Sequence, residues 1–355
     1  MNFNVNGHNV FLIVAVTFVS SIIFVYLSKL VAIHTGIMDV PNKRSAHKKP
    51  TPLLGGIGIF LSFLLGYILF GKESTLMLSI LIASFLILLL GIFDDIKPIT
   101  AKIKFLVHIL VACIIVFYGG LKLDYFDMFS INAYLGIWSY PITILLIVSI
   151  INAINLIDGL DGLCAGISSI YFLTIGIIAL ILNKLGGLDI MLSFIMFGAT
   201  TGFLVHNFPP AKIFMGDTGS TFLGLMISVI MLLGFKTVTL TSLIIPMVLL
   251  ILPIIDTLFA IIRRTIHKRP IGEADKEHIH HQLLKKLSTR KTILIIYFID
   301  MIFSAVTILY SIGYRKEMII FYVLLAFLIL FLVFKTNVIF DNGKKVKDKE
   351  WRYVF

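Results

Sequence analysis

The run LMLSILIASFLILLLGIF at residues 76–93 leads directly into Asp94-Asp95-Ile96-Lys97-Pro98, and this junction decides how the chain is read. Eighteen uncharged residues rise about 27 Å as an α-helix, close to the ~30 Å hydrocarbon thickness of a bilayer. Two adjacent carboxylates at the end of such a span are costly, because each raises the other's pKa at a hydrocarbon boundary. A single acid there reads as solvated charge. A pair followed by Lys102 and Lys104 also reads as a site for a metal or a phosphate.

Outward from this junction, similar apolar runs lie at 10–33, 53–70, 103–120, 138–156, 163–183, 189–206, 217–234, 241–264, 292–313 and 317–335. Together they predict an all-α polytopic integral membrane protein of about 11 transmembrane helices, a single transmembrane domain over residues 1–355. The composition agrees. Of the 355 residues, 59% are hydrophobic and 14% charged, against roughly 45–50% and about 25% in soluble domains. That balance excludes a soluble enzyme and a disordered chain. Two cysteines, Cys113 and Cys164, are too few for a disulfide framework. The run at 10–33 is too long for the apolar core of a signal peptide.

Sidedness follows from the basic residues. The chain carries 30 Lys and Arg against 19 Asp and Glu, a net charge of +11. Only Lys72, Lys122, Lys184, Lys236, Arg315 and Lys316 fall on one side of the predicted spans. All the others fall on the side of 34–52, 94–102, 157–162, 207–216, 265–291 and the basic tail at 336–355. The positive-inside rule makes that side cytoplasmic, with the N-terminus outside and the C-terminus inside. The unusual polar clusters share this face, whereas a transporter would hold its ionisable groups near the midplane. The pattern predicts an enzyme of the cytoplasmic (inner) membrane with its site facing the cytosol.

Four clusters carry the chemistry. Asp94-Asp95 suits a metal or the positioning of a nucleophile. Asn152-Ala153-Ile154-Asn155-Leu156-Ile157-Asp158-Gly159-Leu160-Asp161-Gly162 combines amides, carboxylates and helix-breaking glycines. Hard oxygen ligands of this kind favour Mg²⁺, with Mn²⁺ as the alternative. In Asn207-Phe208-Pro209-Pro210-Ala211-Lys212-Ile213-Phe214-Met215-Gly216-Asp217-Thr218-Gly219-Ser220, the paired prolines fix an extended approach, Asp217 reads as a helix cap or a ligand, and Phe214 as a stacking face for a base beside a helix N-terminus. The loop 265–291 contains His278-Ile279-His280-His281 after Arg263-Arg264, better suited to phosphate or sugar oxygens than to zinc. Asp256 and Asp300 lie within apolar runs, and structural and functional roles are equally open to them.

In this order the clusters resemble those of the polyprenyl-phosphate N-acetylhexosamine-1-phosphate transferase superfamily. The resemblance runs from Asp39-Val40-Pro41-Asn42-Lys43-Arg44-Ser45-Ala46-His47 and Leu54-Gly55-Gly56 to the His-Ile-His-His run. It implies transfer of a sugar phosphate, GlcNAc-1-phosphate in the nearest branch, from a UDP-N-acetylhexosamine to undecaprenyl phosphate. UMP would be released and a surface or cell-wall glycan begun. It further implies Asp217 as the principal Mg²⁺ ligand with Asn155, Lys104 on phosphate, Phe214 on uracil, and Asp158 and Asp161 in the nucleotide loop. Asp94 and Asp95 would receive the lipid phosphate, with Asp94 as orienter, base or nucleophile. His47, Arg264, His278, His280 and His281 would contact substrate.

The phospho-MurNAc-pentapeptide branch, which has three consecutive histidines, stands second. A transporter or lipid flippase is the reading from another class. A prenyltransferase and a CDP-alcohol phosphotransferase fit the glycine-bearing 158–162 segment and its continuation less well. No nucleic-acid partner is expected, and a homodimer is compatible with the chain.

Overall fold

The structure, a computed structural model, describes residues 3–41, 49–128, 131–182, 187–237, 284, 287–314, 317–325 and 327. His47, Asp256, Arg264, the His278–His281 run, most of the 265–291 loop and the 336–355 tail lie outside these residues. The helices are α1 (Val10–Thr35), α2 (Gly55–Phe70), α3 (Thr75–Ile96), α4 (Ala101–Cys113), α5 (Ser139–Ile157), α6 (Leu163–Ile181), α7 (Leu188–Asn207), α8 (Gly216–Thr237) and α9 (Thr289–Ile312). A π-helical turn, Ile114–Tyr118, extends α4, and 317–325 is also helical.

Eight of these segments are long and apolar enough to cross a bilayer. α2, with 16 residues, is shorter than the 53–70 run predicts, because Leu54 turns the chain before it. The runs predicted at 241–264 and beyond 325 fall outside the description almost entirely. Among the described residues, three two-stranded antiparallel pairs decorate the bundle: β1 (Asn4–Val5) with β2 (His8–Asn9), β3 (Met38–Asp39) with β4 (Thr51–Pro52), and β5 (Tyr125–Met128) with β6 (Ile131–Tyr134). The last lies in the connection 121–137, for which hydropathy predicts no element.

Local chemistry sets the helix ends. Asn9 Oδ1 accepts from Phe11 N–H at 2.8 Å to start α1, and Gly36, at φ 74°, ends it in the left-handed conformation that glycine adopts without penalty. Ser74 Oγ accepts from Met77 N–H at 3.0 Å at the start of α3. α2 is started differently. Leu54 holds φ 76°, uncommon for a branched residue. The turn aims the N–H groups of Gly55 and Gly56 at the carbonyls of Phe214 and Met215, at 2.9 and 3.1 Å. Two of the helix's orphan donors are thus satisfied by the segment that leads into α8.

α8 is the central helix and is buried on nearly every side. α3 and α5 pack along it, α2 crosses it, α1 packs on α2 and α7, and α6 lies between α7 and α9. A helix apolar all round belongs in the middle of a bundle. Phe60, Phe63 and Phe222 form an aromatic cluster between α2 and α8, with each ring 5.5 Å from Phe222. α1 and α4 instead expose large apolar side chains such as Phe11, Val31 and Leu106, as lipid-facing helices do. Serine and threonine pairs link the spans: Ser20–Ser62 at 2.9 Å, Ser169–Thr200 at 2.8 Å and Thr174–Ser304 at 2.9 Å.

Glycines bring backbones into contact around α8. A β-carbon added at Gly56 would lie 2.2 Å from Gly219 N, and one at Gly91 would lie 2.3 Å from Thr218 Cα. The C-terminal end of α3 and the N-terminal end of α2 therefore close directly on the first turn of α8.

Candidate active site

Alternation of the spans brings the ends of α3, α5 and α7 and the starts of α4, α6 and α8 to one end of the bundle. The side chains meet there. Lys104 Nζ, in the first turn of α4, lies 2.7 Å from Asp94 Oδ2 and 2.6 Å from Asp217 Oδ2. Asp94 and Asp217 are separated by more than a hundred residues, and the ammonium ties them into one cluster. Asp94 Oδ1 also accepts from Ile99 N–H at 2.7 Å, so the α3–α4 turn orients this carboxylate.

Asn155, near the end of α5, reaches the same cluster. Its Nδ2 donates to Asp217 Oδ2 at 3.3 Å, and its Oδ1 accepts from Ser220 Oγ at 3.2 Å. Asn155 is thereby held against Asp217 by two residues of α8.

The adjacent acids Asp94 and Asp95 have different partners. Successive residues on a helix point about 100° apart, so Asp95 faces α8 where Asp94 faces Lys104. Asp95 Oδ1 accepts from Asp217 N–H at 2.9 Å, and Oδ2 accepts from Thr218 N–H at 3.2 Å and Thr218 Oγ1 at 2.6 Å. The carboxylate of α3 thus caps α8, meeting orphan donors and the positive end of the helix dipole. Asp217 sits in the first turn of the helix, and the cap comes from another element. Gly216, at φ 67°, is needed for this approach, because a β-carbon there would lie 2.2 Å from Asp95 Oδ2.

A second layer holds the loops. Asp161 Oδ2 accepts from Ala211 N–H at 2.9 Å. Asn207 Oδ1 accepts from Gly162 N–H at 2.8 Å while its Nδ2 donates to the Ile213 carbonyl at 2.9 Å. From α9, Arg290 Nε donates to the Pro209 carbonyl at 2.7 Å, and the Tyr297 hydroxyl donates to the Gly162 carbonyl. These bonds tie 158–162 to 207–214 and so bring Asp158 and Asp161 to the segment that carries Phe214. Phe214 N–H donates to the Pro52 carbonyl at 2.9 Å, which fixes its backbone, and the residue is half-buried. Burial first, then the charges of Asp217, Asp95 and Asp161, push the Asp158 carboxyl well above the usual carboxylate range.

The residues fit a magnesium ion of a particular kind. Among the described residues no three Asp, Glu, His or Cys side chains converge as a ready-made cage. Mg²⁺ commonly takes one or two protein ligands and completes its octahedron with water and substrate phosphate oxygens. Asp217, steadied by Asn155, supplies hard oxygens of that type, and Lys104 alone does not offset the two carboxylates it bridges.

Asn207, Thr218 and Ser220 lie within the 207–220 cluster but carry no individual role in the sequence reading, and Arg290 and Tyr297 belong to none of its clusters. Asn207 stands beside the Pro209-Pro210 pair and Ser220 follows Gly-Asp-Thr-Gly, so both carried a local signal. Arg290 and Tyr297, on a distant helix, carried none.

Carboxylates, an amide and an ammonium thus meet where the apolar helices end, an arrangement able to hold a cation and phosphate oxygens. Residues 77–235 match the family described as glycosyl transferase family 4. The chain is 45% identical over 294 residues, 81% of each chain, to a Bacillus subtilis (strain 168) protein named "Probable undecaprenyl-phosphate N-acetylglucosaminyl 1-phosphate transferase". It is 30% identical over 333 residues, 90% of this chain and 91% of the other, to the undecaprenyl-phosphate alpha-N-acetylglucosaminyl 1-phosphate transferase of Haemophilus influenzae. With the decaprenyl-phosphate N-acetylglucosaminephosphotransferase of Mycolicibacterium smegmatis it shares 30% identity over 300 residues, 76% of this chain and 74% of the other. The chain belongs to glycosyl transferase family 4.

Proposed function

We propose that this protein transfers GlcNAc-1-phosphate from UDP-GlcNAc to undecaprenyl phosphate, releasing UMP, at the cytosolic face of the cytoplasmic membrane. The reading includes 11 spans with the N-terminus outside, supported by the distribution of Lys and Arg. The product is the diphosphate-linked lipid on which a surface or cell-wall glycan would be built. The observation that carries the reading is the Asp94–Lys104–Asp217 bridge, which joins an acid at the lipid-accessible end of α3 to an acid and an amide suited to Mg²⁺. The relatives named above, all polyprenyl-phosphate transferases of N-acetylglucosamine phosphate, support it independently.

Asp217 and Asn155 would hold Mg²⁺, which when bound supplies neutralisation of the donor diphosphate. Lys104 keeps Asp94 as a partner, turns its free N–H to phosphate oxygens and balances their charge. Phe214 stacks on the uracil, while Asp158 and Asp161 shape the turn against which the nucleotide rests. Asp94 orients the acceptor phosphate through the Lys104 ammonium. An acceptor oxygen attacks the β-phosphorus, a new P–O bond forms, and the bond to the α-phosphate oxygen breaks as UMP leaves in line. A phosphate monoester with a second pKa near 6 is largely dianionic at neutral pH, so no strong base is required.

The test incubates purified protein with undecaprenyl phosphate, Mg²⁺ and separate UDP-sugars and measures UMP. UDP-GlcNAc is the expected substrate, and Asp217→Asn should reduce the rate by roughly a hundredfold or more. Near-normal turnover of Asp217→Asn would overturn the assignment of the metal.

A further inference from the structure

Both ring nitrogens of His108 are buried without a hydrogen-bond partner among the described residues, and the residue is only 1% exposed. A neutral imidazole has one donor and one acceptor. A leucine of similar size would bury here without that cost, so the ring calls for another reason.

Its position provides one. His108 follows Lys104 by four residues in α4, so the two side chains share a helix face, with His108 one turn deeper in the bundle. Lys104 Nζ has three N–H donors, and two of them serve Asp94 and Asp217. A cation or a donor phosphate cannot make full use of Asp217 while the ammonium occupies Oδ2.

Resting on the transferase reading above, we propose that His108 is a positioning residue for Lys104. When the substrates bind, an imidazole nitrogen accepts the N–H that leaves Asp217. Asp94 keeps its own hydrogen bond, the ammonium stays charged and directed at phosphate, and Asp217 Oδ2 is released. The step exchanges one hydrogen bond for another and changes no covalent bond. With an aliphatic side chain at 108 the imidazole acceptor is gone, and Lys104 would be held on Asp217.

The test compares His108→Leu and His108→Gln in the full-length protein reconstituted in phospholipid nanodiscs. His108→Leu should leave the Tm of the substrate-free protein unchanged or raised, because the unpartnered ring is gone. Its UMP release should fall by about tenfold or more, with a higher Mg²⁺ concentration at half-maximal rate. His108→Gln restores an acceptor and should return turnover to within about threefold of wild type. A Leu variant within about twofold of wild type would overturn the inference. So would loss of turnover in both variants together with a lowered Tm, since the ring would then only be supporting the packing. Absence of UMP release from the wild-type protein would count against the transferase reading itself, whereas an active wild type with an indifferent Leu variant would remove His108 alone.

Discussion

Replacing Asp95 separates support of the site from its chemistry. Its carboxylate accepts three hydrogen bonds from the first two residues after Gly216: the N–H groups of Asp217 and Thr218 and the Thr218 hydroxyl. Thr218 is fully buried, so none of its donors can turn to water. Loss of a helix cap costs about 1 kcal/mol and up to ~2, and a partly buried charge at a helix end contributes up to ~2 kcal/mol more.

Asp95→Ala removes both contributions and leaves orphaned donors, for a cost of about 3–4 kcal/mol. Asp95→Asn keeps one carbonyl oxygen and the shape, losing the charge and part of the bonding, for about 1–2 kcal/mol. Thermal unfolding in nanodiscs and UMP release on the same samples are the assays. Asp95→Asn should unfold earlier yet retain turnover within about tenfold of wild type, while Asp94→Asn should keep its Tm and lose turnover. Gly216→Ala should behave like an Asp95 variant, because its β-carbon meets Asp95 Oδ2 and the residue already holds φ 67°. If Asp95→Asn were inactive at an unchanged Tm, the carboxylate would be taking part in the reaction and the capping argument would fail.

Two further outcomes are expected. Phe214→Ala should weaken UMP binding by roughly 1–3 kcal/mol, the range for one stacked base, read by calorimetry; unchanged affinity would exclude stacking. Asp158 binds its proton more tightly in the folded protein than in the unfolded chain, so its contribution to stability is present below the ordinary carboxylate pKa and is lost as pH rises through its raised value. The metal-free Tm should therefore decline as pH rises over that interval, and the decline should be smaller in Asp158→Asn; equal slopes for the two proteins would count against it.

Much of the architecture was legible because lipid imposes a simple rule: a span needs a long apolar run, and runs such as 76–93 and 163–183 can be read directly. Their ends were less legible. The predicted span stops at Phe93, whereas α3 continues through Asp94 and Asp95 to Ile96, because hydrogen bonds to α4 and α8 stabilise acids that hydropathy alone excludes. Asp94, Asp95, Lys104, Asn155 and Asp217 could be chosen from local pattern, and the fold does bring them together. What no local pattern could reveal was the division of labour between two neighbouring aspartates, since the partner of Asp95 lies more than a hundred residues away. The role of Tyr297 was hidden for the same reason: its partner is a backbone carbonyl, which leaves no trace in residue type. The hairpin of β5 and β6 carries no clear signal, because its strands, Tyr125-Phe126-Asp127-Met128 and Ile131-Asn132-Ala133-Tyr134, are too short to show a sustained apolar-polar alternation.

The close approach of Gly56 and Gly91 to α8 bears on how such an enzyme can diversify. With no space for even a methyl group, the helix turn that carries Asp217 cannot shift to suit a different sugar. The connections at 158–162 and 207–214 are joined by individual side-chain-to-backbone bonds, which can be rewired one at a time. A change of donor preference is therefore best sought by exchanging those two connections as a pair, with the helices that close on α8 retained as an inherited chassis.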